Sequence, residues 1–361
     1  MIKGIYFPYR KVKINETDYF VPASNTKLFT TYLALETLGN DYLFRSGYAV
    51  KKNRLMIKTL GNPLITEKDL IKMISKIEEE ITDIIIDSKF LKPTGRPPGW
   101  CVDDIGESYA PPVSEINYEM NRVTIIENKI VPENTYYKIK NYANVSRVRG
   151  KNIYMKNSEK NYTFSTVAPA KFYINSMVAH MMKNGIIRKI PKVHFLKVND
   201  TTDNFAEHHI SELLRIVNKE SENILAEMLL LYVGLYKGFV GLDKSLVYLH
   251  KFFSSKNITK LKLYDGSGLS YYNLVSPMSI VMLLELANDS KIFKSSLSIG
   301  GVDGTLKNRL NSRIIGKTGS LRNVQNLSGY FDDNPFSIMI NNEPDEKLAK
   351  EYIDSYLKLF L

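Results

Sequence analysis

Ser24 and Lys27 stand three residues apart at the start of a predicted helix, where a hydroxyl and an amine share one face. Unpaired N–H groups at a helix start favour a developing negative charge. A buried lysine can lose its proton near neutral pH and act as a base. The pair therefore has the chemistry of a nucleophile and its base. A helix-capping serine and an exposed lysine would have the same spacing, as Ser355 and Lys358 do.

Two later motifs carry polar groups that could complete such a site. Residues 221–223 (Ser-Glu-Asn) open a predicted helix, and residues 317–319 (Lys-Thr-Gly) lie in a predicted strand. Glycine inside a strand often marks the close approach of a ligand or another backbone, and the adjacent Lys and Thr could bind a carboxylate. Taken alone, the first motif could be a helix cap and the second a strand with a bulge.

The elements around these motifs predict an antiparallel sheet covered by helices. A mostly buried helix follows Lys27 and ends near Gly39, and residues 5–21 predict an edge strand or hairpin. Further helices are predicted at 171–184, 206–219, 221–236, 241–254, 276–288 and 345–360, with strands at 313–322, 325–332 and 335–341. Residues 43–170 contain many short strand-like runs and one helix at 67–81, which predicts a β-rich region with its own core.

The order Ser-x-x-Lys, Ser-x-Asn, Lys-Thr-Gly is that of penicillin-binding proteins and serine β-lactamases. The segments FVPASNTKLFTTYLALETLG, SENILAEML, YDGSGLSYYNLVSP, GVDGTLKNRL and GKTGSLRNVQNLSGY resemble the D-alanyl-D-alanine carboxypeptidase/endopeptidase family, the low-molecular-mass class C penicillin-binding proteins of peptidase family S13. GNPLIT and YAPPVSEINYEMNRV resemble it too. The resemblance implies an α+β fold, in which a serine β-lactamase/transpeptidase-like domain (residues 1–42 and 171–361) holds an inserted β-rich domain (43–170).

The resemblance also implies roles for the catalytic residues. Ser24 would be the acylated nucleophile, and Lys27 would accept its proton. Ser221 and Asn223 would line the cleft, with Ser221 relaying protons to the leaving amine. A peptide ending in D-alanine would be hydrolysed through a serine ester, and β-lactams would acylate the same serine.

Substrate binding is assigned by the resemblance to the third motif and the residue after it. Lys317 and Thr318 would orient the terminal carboxylate of the substrate, next to Gly319. The backbone N–H groups of Ser24 and Ser320 would form the oxyanion hole. No metal or other cofactor is expected, and the five histidines lack a zinc-binding spacing.

Composition limits the remaining possibilities. The net charge of +11 is spread along the chain, which predicts a solvated lysine-rich surface rather than a nucleic-acid partner. Cys101 is the single cysteine, so an intramolecular disulfide is excluded. No signal peptide and no transmembrane run of 18 apolar residues is seen, which predicts a cytoplasmic protein as the sequence stands, or one of the cell envelope if this is a mature or trimmed form. The oligomeric state stays open.

Two alternatives remain at this point. One is an intracellular serine peptidase, esterase or β-lactamase-like hydrolase that acts on a substrate outside the cell wall. The other is a catalytically silent protein on the same scaffold, whose basic insert holds an anionic polymer. Rapid turnover of a β-lactam or ester would favour the first, and binding without an acyl-enzyme would favour the second.

Overall fold

The computed structural model describes residues 1–59, 62–87, 95–114, 116–134, 136–142, 147–149, 151–156, 161–199 and 201–360. The chain divides into two compact units. The motif unit comprises Met1–Tyr42, Pro97–Trp100 and Ile210–Leu361, and the second unit comprises Leu43–Arg96 and Cys101–His209. All three motifs therefore lie in the motif unit.

The described residues form the following regular elements. The strands are β1 (Ile2–Phe7), β2 (Val12–Ile14), β3 (Leu43–Lys51), β4 (Arg54–Lys58), β5 (Asp83–Ile86), β6 (Arg122–Ile126), β7 (Lys129–Val131), β8 (Lys138–Tyr142), β9 (Arg147–Arg149), β10 (Asn152–Lys156), β11 (Asn161–Ser165), β12 (Lys192–Phe195), β13 (Asp203–His209), β14 (Leu261–Lys262), β15 (Leu274–Val275), β16 (Ser298–Ile299), β17 (Ile314–Leu321), β18 (Val324–Phe331) and β19 (Asn334–Asn341). The helices are α1 (Thr26–Leu38), α2 (Glu67–Ile74), α3 (Pro169–Lys183), α4 (Ile210–Lys219), α5 (Asn223–Tyr236), α6 (Leu242–Ser255), α7 (Pro277–Leu286), α8 (Lys291–Ser296) and α9 (Glu346–Lys358).

A six-stranded antiparallel sheet forms the centre of the motif unit, in the order β16-β17-β18-β19-β1-β2. Helix α9 packs on one face of this sheet, where Ile353 and Leu357 join Phe331 in a buried cluster. Tyr330, which precedes Phe331 in β18, points to the other face of the sheet. Its hydroxyl donates to the Leu284 carbonyl of α7 there (2.7 Å). Strand β18 is buried along its whole length, as expected for a strand covered on both faces.

Helix α5 is the most completely buried helix around the site. Eleven of its fourteen residues are buried, including Asn223 and Glu227. It contacts α1, α4 and α6, so it lies inside the helical layer of the motif unit. Such a helix, apolar on nearly all sides, is expected in the interior of a large domain.

The described residues of the second unit form three sheets around their own core. The five-stranded sheet has the order β12-β5-β4-β3-β13, with parallel pairs at β4–β5 and β5–β12. Two three-stranded sheets have the orders β11-β6-β7 and β8-β10-β9. Helices α2 and α3 contribute Leu70 and Phe172 to the core, which also contains Ile84, Tyr118 and Phe164.

The predicted α+β class, with an antiparallel sheet covered by helices, is confirmed. Two predicted helices are wrong in part. Residues 206–209 end strand β13, because they pair with β3, and helix α4 starts only at Ile210. The predicted helix 67–81 stops at Ile74, after which Ile77 and Ile81 reach the core from irregular backbone.

The second unit extends to His209, beyond the predicted boundary at residue 170. Helix α3 packs in its core, β12 pairs with β5, and β13 pairs with β3. These long-range contacts join residues 171–209 to the second unit. Within the part of the chain that the structure describes, no helix has both the length and the apolar content of a membrane span.

Candidate active site

Ser24 lies in a single 3₁₀ turn, Ala23–Asn25, immediately before α1. Ala23 has a φ of +47°, in the left-handed region that a residue with a side chain seldom adopts. Hydrogen bonds to the sheet hold this conformation. Asn25 donates to Ser328 Oγ (2.7 Å), and Asn326 donates to the Pro22 carbonyl (2.9 Å). The turn that carries the nucleophile candidate is thus fixed to β18 by hydrogen bonds.

Lys27 lies in the first turn of α1 and its side chain is fully buried. Its Nζ donates to Ser24 Oγ (2.8 Å), to Asn223 Oδ1 (2.6 Å) and to the Ser267 carbonyl (2.7 Å). Burial lowers the pKa of Lys27 from 10.5 to about 8, against the opposing effect of nearby carboxylates. The amine is therefore poised to change protonation state near neutral pH.

Ser221 and Asn223 are held at the entry to α5. Ser221 has a φ of +61° and stands just before the helix, and Asn223 is its first residue. The hydroxyl oxygen of Ser221 accepts from Lys317 Nζ (2.8 Å). The Ser-x-Asn motif therefore links both lysines, because Asn223 contacts Lys27 and Ser221 contacts Lys317.

Lys317 is fully buried on β17, where its amine also donates to the Thr318 carbonyl (3.0 Å). Burial, followed by the charge of Lys27, lowers the pKa of Lys317 well below its usual value. Thr318 Oγ1 donates to Thr305 Oγ1 (2.8 Å), and Ser320 Oγ donates to Gln325 Oε1 (2.7 Å). The hydroxyl groups of Thr318 and Ser320 thus have defined positions on β17.

Gly319 allows β17 to approach the turn that carries Ser24. A Cβ at this position would lie 2.6 Å from the Pro22 carbonyl oxygen and 3.3 Å from the Asn25 nitrogen. The first distance is shorter than real contacts permit, so any side chain would push the two backbones apart. The glycine that the sequence marked for a close approach has this function here.

Two further groups lie at the site that the sequence motifs did not identify. The Ser267 carbonyl accepts from Lys27, and Glu227 lies buried one helical turn after Asn223. The spacing of four residues would have placed Glu227 on the same face of α5 as Asn223. A backbone carbonyl leaves no comparable signal in a sequence. Among the described residues, no cluster of three or more His, Cys, Asp or Glu side chains is arranged to hold a metal ion.

The geometry brings Ser24, Lys27 and Asn223 into direct contact, and it joins Ser221 to Lys317. A family model described as D-Ala-D-Ala carboxypeptidase 3 (S13) matches residues 12–135 and 138–359. The chain belongs to this family. The match confirms the predicted family and the predicted class of enzyme, a serine-type D-alanyl-D-alanine carboxypeptidase.

Relatives with known names or solved structures match along most of the chain. The D-alanyl-D-alanine carboxypeptidase DacB of Haemophilus influenzae is 21% identical over 413 residues, covering 95% of this chain and 82% of that protein. The crystal structure of penicillin-binding protein 4 (dacB) from H. influenzae has a TM-score of 0.82 at 21% identity, covering 94% of this chain and 90% of the other. The same protein complexed with a β-lactam has a TM-score of 0.75 at 20% identity, covering 96% and 91%. The predicted transpeptidase-like fold with an additional β domain is confirmed by this similarity.

Proposed function

We propose that this S13 family member hydrolyses peptides ending in D-alanine through an acyl-enzyme on Ser24, with Lys27 as the base. The observation that carries the proposal is the environment of the Lys27 amine. A neutral amine has two N–H donors and one lone pair. Asn223 Oδ1 and the Ser267 carbonyl can accept the two N–H groups, and the lone pair then faces the Ser24 hydroxyl. The site thus accommodates the deprotonated base in the arrangement that acylation needs.

Acylation begins with proton transfer from Ser24 Oγ to Lys27 Nζ, while Oγ attacks the carbonyl carbon of the scissile peptide bond. The backbone N–H groups of Ser24 and Ser320 are proposed to receive the oxyanion, and each such donor contributes about 3 kcal/mol to the transition state. The C–N bond then breaks and D-alanine leaves with a proton. Water attacks the resulting serine ester and restores the hydroxyl.

Ser221 is the proposed relay to the leaving amine. Its hydroxyl oxygen accepts from Lys317, so the hydroxyl proton can point away from that lysine and toward the leaving nitrogen. The proton given up in this way can be replaced through Lys317, whose pKa is lowered by burial and by Lys27. This contact supports a proton relay through Ser221 and Lys317.

Recognition of the substrate carboxylate is assigned to the third motif. Lys317 supplies positive charge, and the Thr318 hydroxyl and the adjacent Gly319 and Ser320 lie along the same strand. β-Lactams are proposed as inhibitors that acylate Ser24. The H. influenzae relative complexed with a β-lactam supports this for a chain of similar fold. The motif unit is accordingly proposed as the catalytic domain and the second unit as the inserted domain.

The test is covalent labelling with a fluorescent penicillin, followed by intact mass and peptide mapping. We expect one adduct per chain, located on Ser24, and none in the Ser24→Ala variant. Ser355→Ala is the matched control, because Ser355 and Lys358 have the same spacing in the exposed part of α9. Release of D-alanine from a peptide ending in D-Ala-D-Ala is measured in parallel. Equal labelling of Ser24→Ala and wild type would refute the assignment.

A further inference from the structure

A backbone turn at residues 265–270 lies against Lys27, and two buried carboxylates hold it. Glu227 accepts from the Gly266 N–H (3.0 Å) and from the Ser267 N–H (2.8 Å). Asp265 accepts from the Gly268 N–H (2.9 Å) and the Ser270 N–H (2.7 Å). Four backbone donors of one short segment are therefore bound by two side chains that solvent does not reach.

Asp265 also binds side chains that fix its own position. Trp100 Nε1 donates to it at 2.9 Å, Asn273 Nδ2 at 2.6 Å and Ser267 Oγ at 3.3 Å. A buried carboxyl group with this many N–H and O–H partners serves as a fixed acceptor. Asp265 therefore connects Trp100 and Asn273 to the turn, in addition to closing the turn itself.

The peptide unit between Ser267 and Gly268 connects Asp265 to Lys27. Its N–H donates to Asp265 Oδ1, and its carbonyl oxygen accepts from Lys27 Nζ. Hydrogen bonds at both ends of one peptide polarise each other, so the acid strengthens the carbonyl as an acceptor. The other side of the turn meets the nucleophile, because a Cβ on Gly268 would lie 1.9 Å from the Ala23 carbonyl oxygen.

The carboxylates act on Lys27 without forming a direct ion pair with it. All three hydrogen-bond partners of the amine are neutral oxygens. Burial lowers the pKa of Lys27, and the charges of Asp265, Glu227 and Glu222 raise it in that order. Lys317 is the other buried amine of the site, and the charge of Lys27 lowers its pKa in addition to burial. A direct ion pair would hold the proton on Lys27, whereas charges placed behind a peptide raise its affinity for the proton without blocking release.

We propose that Glu227 and Asp265 are positioning residues for acylation: they fix the Ser267 carbonyl against Lys27, and the ionisation of these two buried carboxyl groups sets the pH at which this amine becomes free to accept the Ser24 proton. The inference rests on the proposed function of Lys27 as the base. It predicts that removing one of these charges lowers the pH at which the amine deprotonates. Burial, followed by the charge of Asp265, raises the pKa of Glu227 to about 8, so Glu227 loses its proton over the same pH range as Lys27. The measured midpoint therefore belongs to the whole cluster.

Glu227→Gln is the informative variant. Glu227 Oε1 accepts from both the Gly266 N–H and the Ser267 N–H, and Oε2 shares the Gly266 N–H at 3.0 Å. An amide oxygen in the Oε1 position therefore keeps an acceptor for both N–H groups while the charge is lost. Lys27 is titrated by NMR in protein labelled with ¹³C at lysine Cε, with Lys27→Met to assign the signal. The rate constant for acylation by a penicillin is measured over the same pH range. We expect both midpoints to move about one unit toward acid.

Glu36→Gln is the control, because Glu36 is an exposed carboxylate on the same helix as Lys27, and it should leave both midpoints in place. Asp265→Asn tests the positional effect. An amide nitrogen facing the turn N–H groups should slow acylation at every pH. If the wild type is acylated and Glu227→Gln has the same two midpoints as the wild type, the inference is overturned and the proposed function stays intact. A wild type that shows no acylation would refute the proposed function, while the NMR titration would still decide whether Glu227 raises the pKa of Lys27.

Discussion

Replacing Lys27 by methionine separates the chemical contribution of the amine from its contribution to stability. Methionine has a similar length, so the packing around α1 is largely retained while the charge and the lone pair are lost. The Ser24 hydroxyl then loses its hydrogen bond to the amine, which is 2.8 Å long, and with it the base that would accept its proton. General base catalysis typically contributes about 100- to 10,000-fold, and we expect acylation by penicillin to slow by a factor in that range.

The stability effect depends on pH in a defined direction. Folding lowers the pKa of Lys27 from 10.5 to about 8, so below pH 8 the folded state must hold a buried charge that the unfolded chain holds in water. The shift of 2.5 units corresponds to about 3 kcal/mol of lost stability. This loss is present in full below pH 8 and disappears as the pH rises to 10.5. The methionine variant lacks this dependence.

The measurement is urea unfolding of wild type and Lys27→Met at pH 7 and at pH 10.5. The free energy of unfolding of wild type, relative to that of the variant, should increase by about 3 kcal/mol between these pH values. Lys347→Met removes a lysine that is exposed on α9 and should show no such trend. If wild type and Lys27→Met gave parallel stabilities across this range, the burial of a charged Lys27 would be refuted.

Three further outcomes follow from the same contacts. Gly319→Ala should slow acylation and cost about 1–3 kcal/mol, because the new methyl group separates β17 from the nucleophile turn; chemical unfolding and penicillin kinetics check both effects, and an unchanged rate would contradict the close approach. Ser221→Ala should slow acylation about 100-fold by removing the acceptor of Lys317, whereas Ser255→Ala, at the same spacing from an asparagine in residues 255–257, should not. Phe29→Ala should lower the free energy of unfolding by about 3–5 kcal/mol, because Phe29 packs edge-on against Phe253 at 5.1 Å in the buried helical layer; a loss below 1 kcal/mol would contradict that packing.

Local signals in the sequence predicted the strands of the third motif closely. The predicted strands 313–322, 325–332 and 335–341 are observed at Ile314–Leu321, Val324–Phe331 and Asn334–Asn341. The turns between them use residues that tolerate the left-handed region: Asn323 has a φ of +65°, and Asp333 has a φ of +61°. Such hairpins are encoded by neighbouring residues, and sequence patterns therefore find them.

Elements that depend on distant partners were predicted less well. His208 and His209 continue a helical pattern in the sequence, but pairing with β3 makes them a strand. Residues 171–209 likewise join the second unit through the pairing of β12 with β5 and of β13 with β3, and no local pattern in the sequence predicts these contacts. Tertiary pairing overrides local preference in such segments.

Amino-acid order alone identifies the residues that have the chemistry and the sequence in which they occur. It gave the serine and lysine one turn apart, the Ser-x-Asn and Lys-Thr-Gly motifs, and through them the family. Folding is what brings Lys27 into contact with Asn223, 196 residues away, and with the Ser267 carbonyl, 240 residues away. It also decided the pKa of Lys27, because burial and the charges of Glu227 and Asp265 exist only once the chain has folded. Covalent order fixes the identity of a side chain, whereas its proton affinity depends on what surrounds it in space.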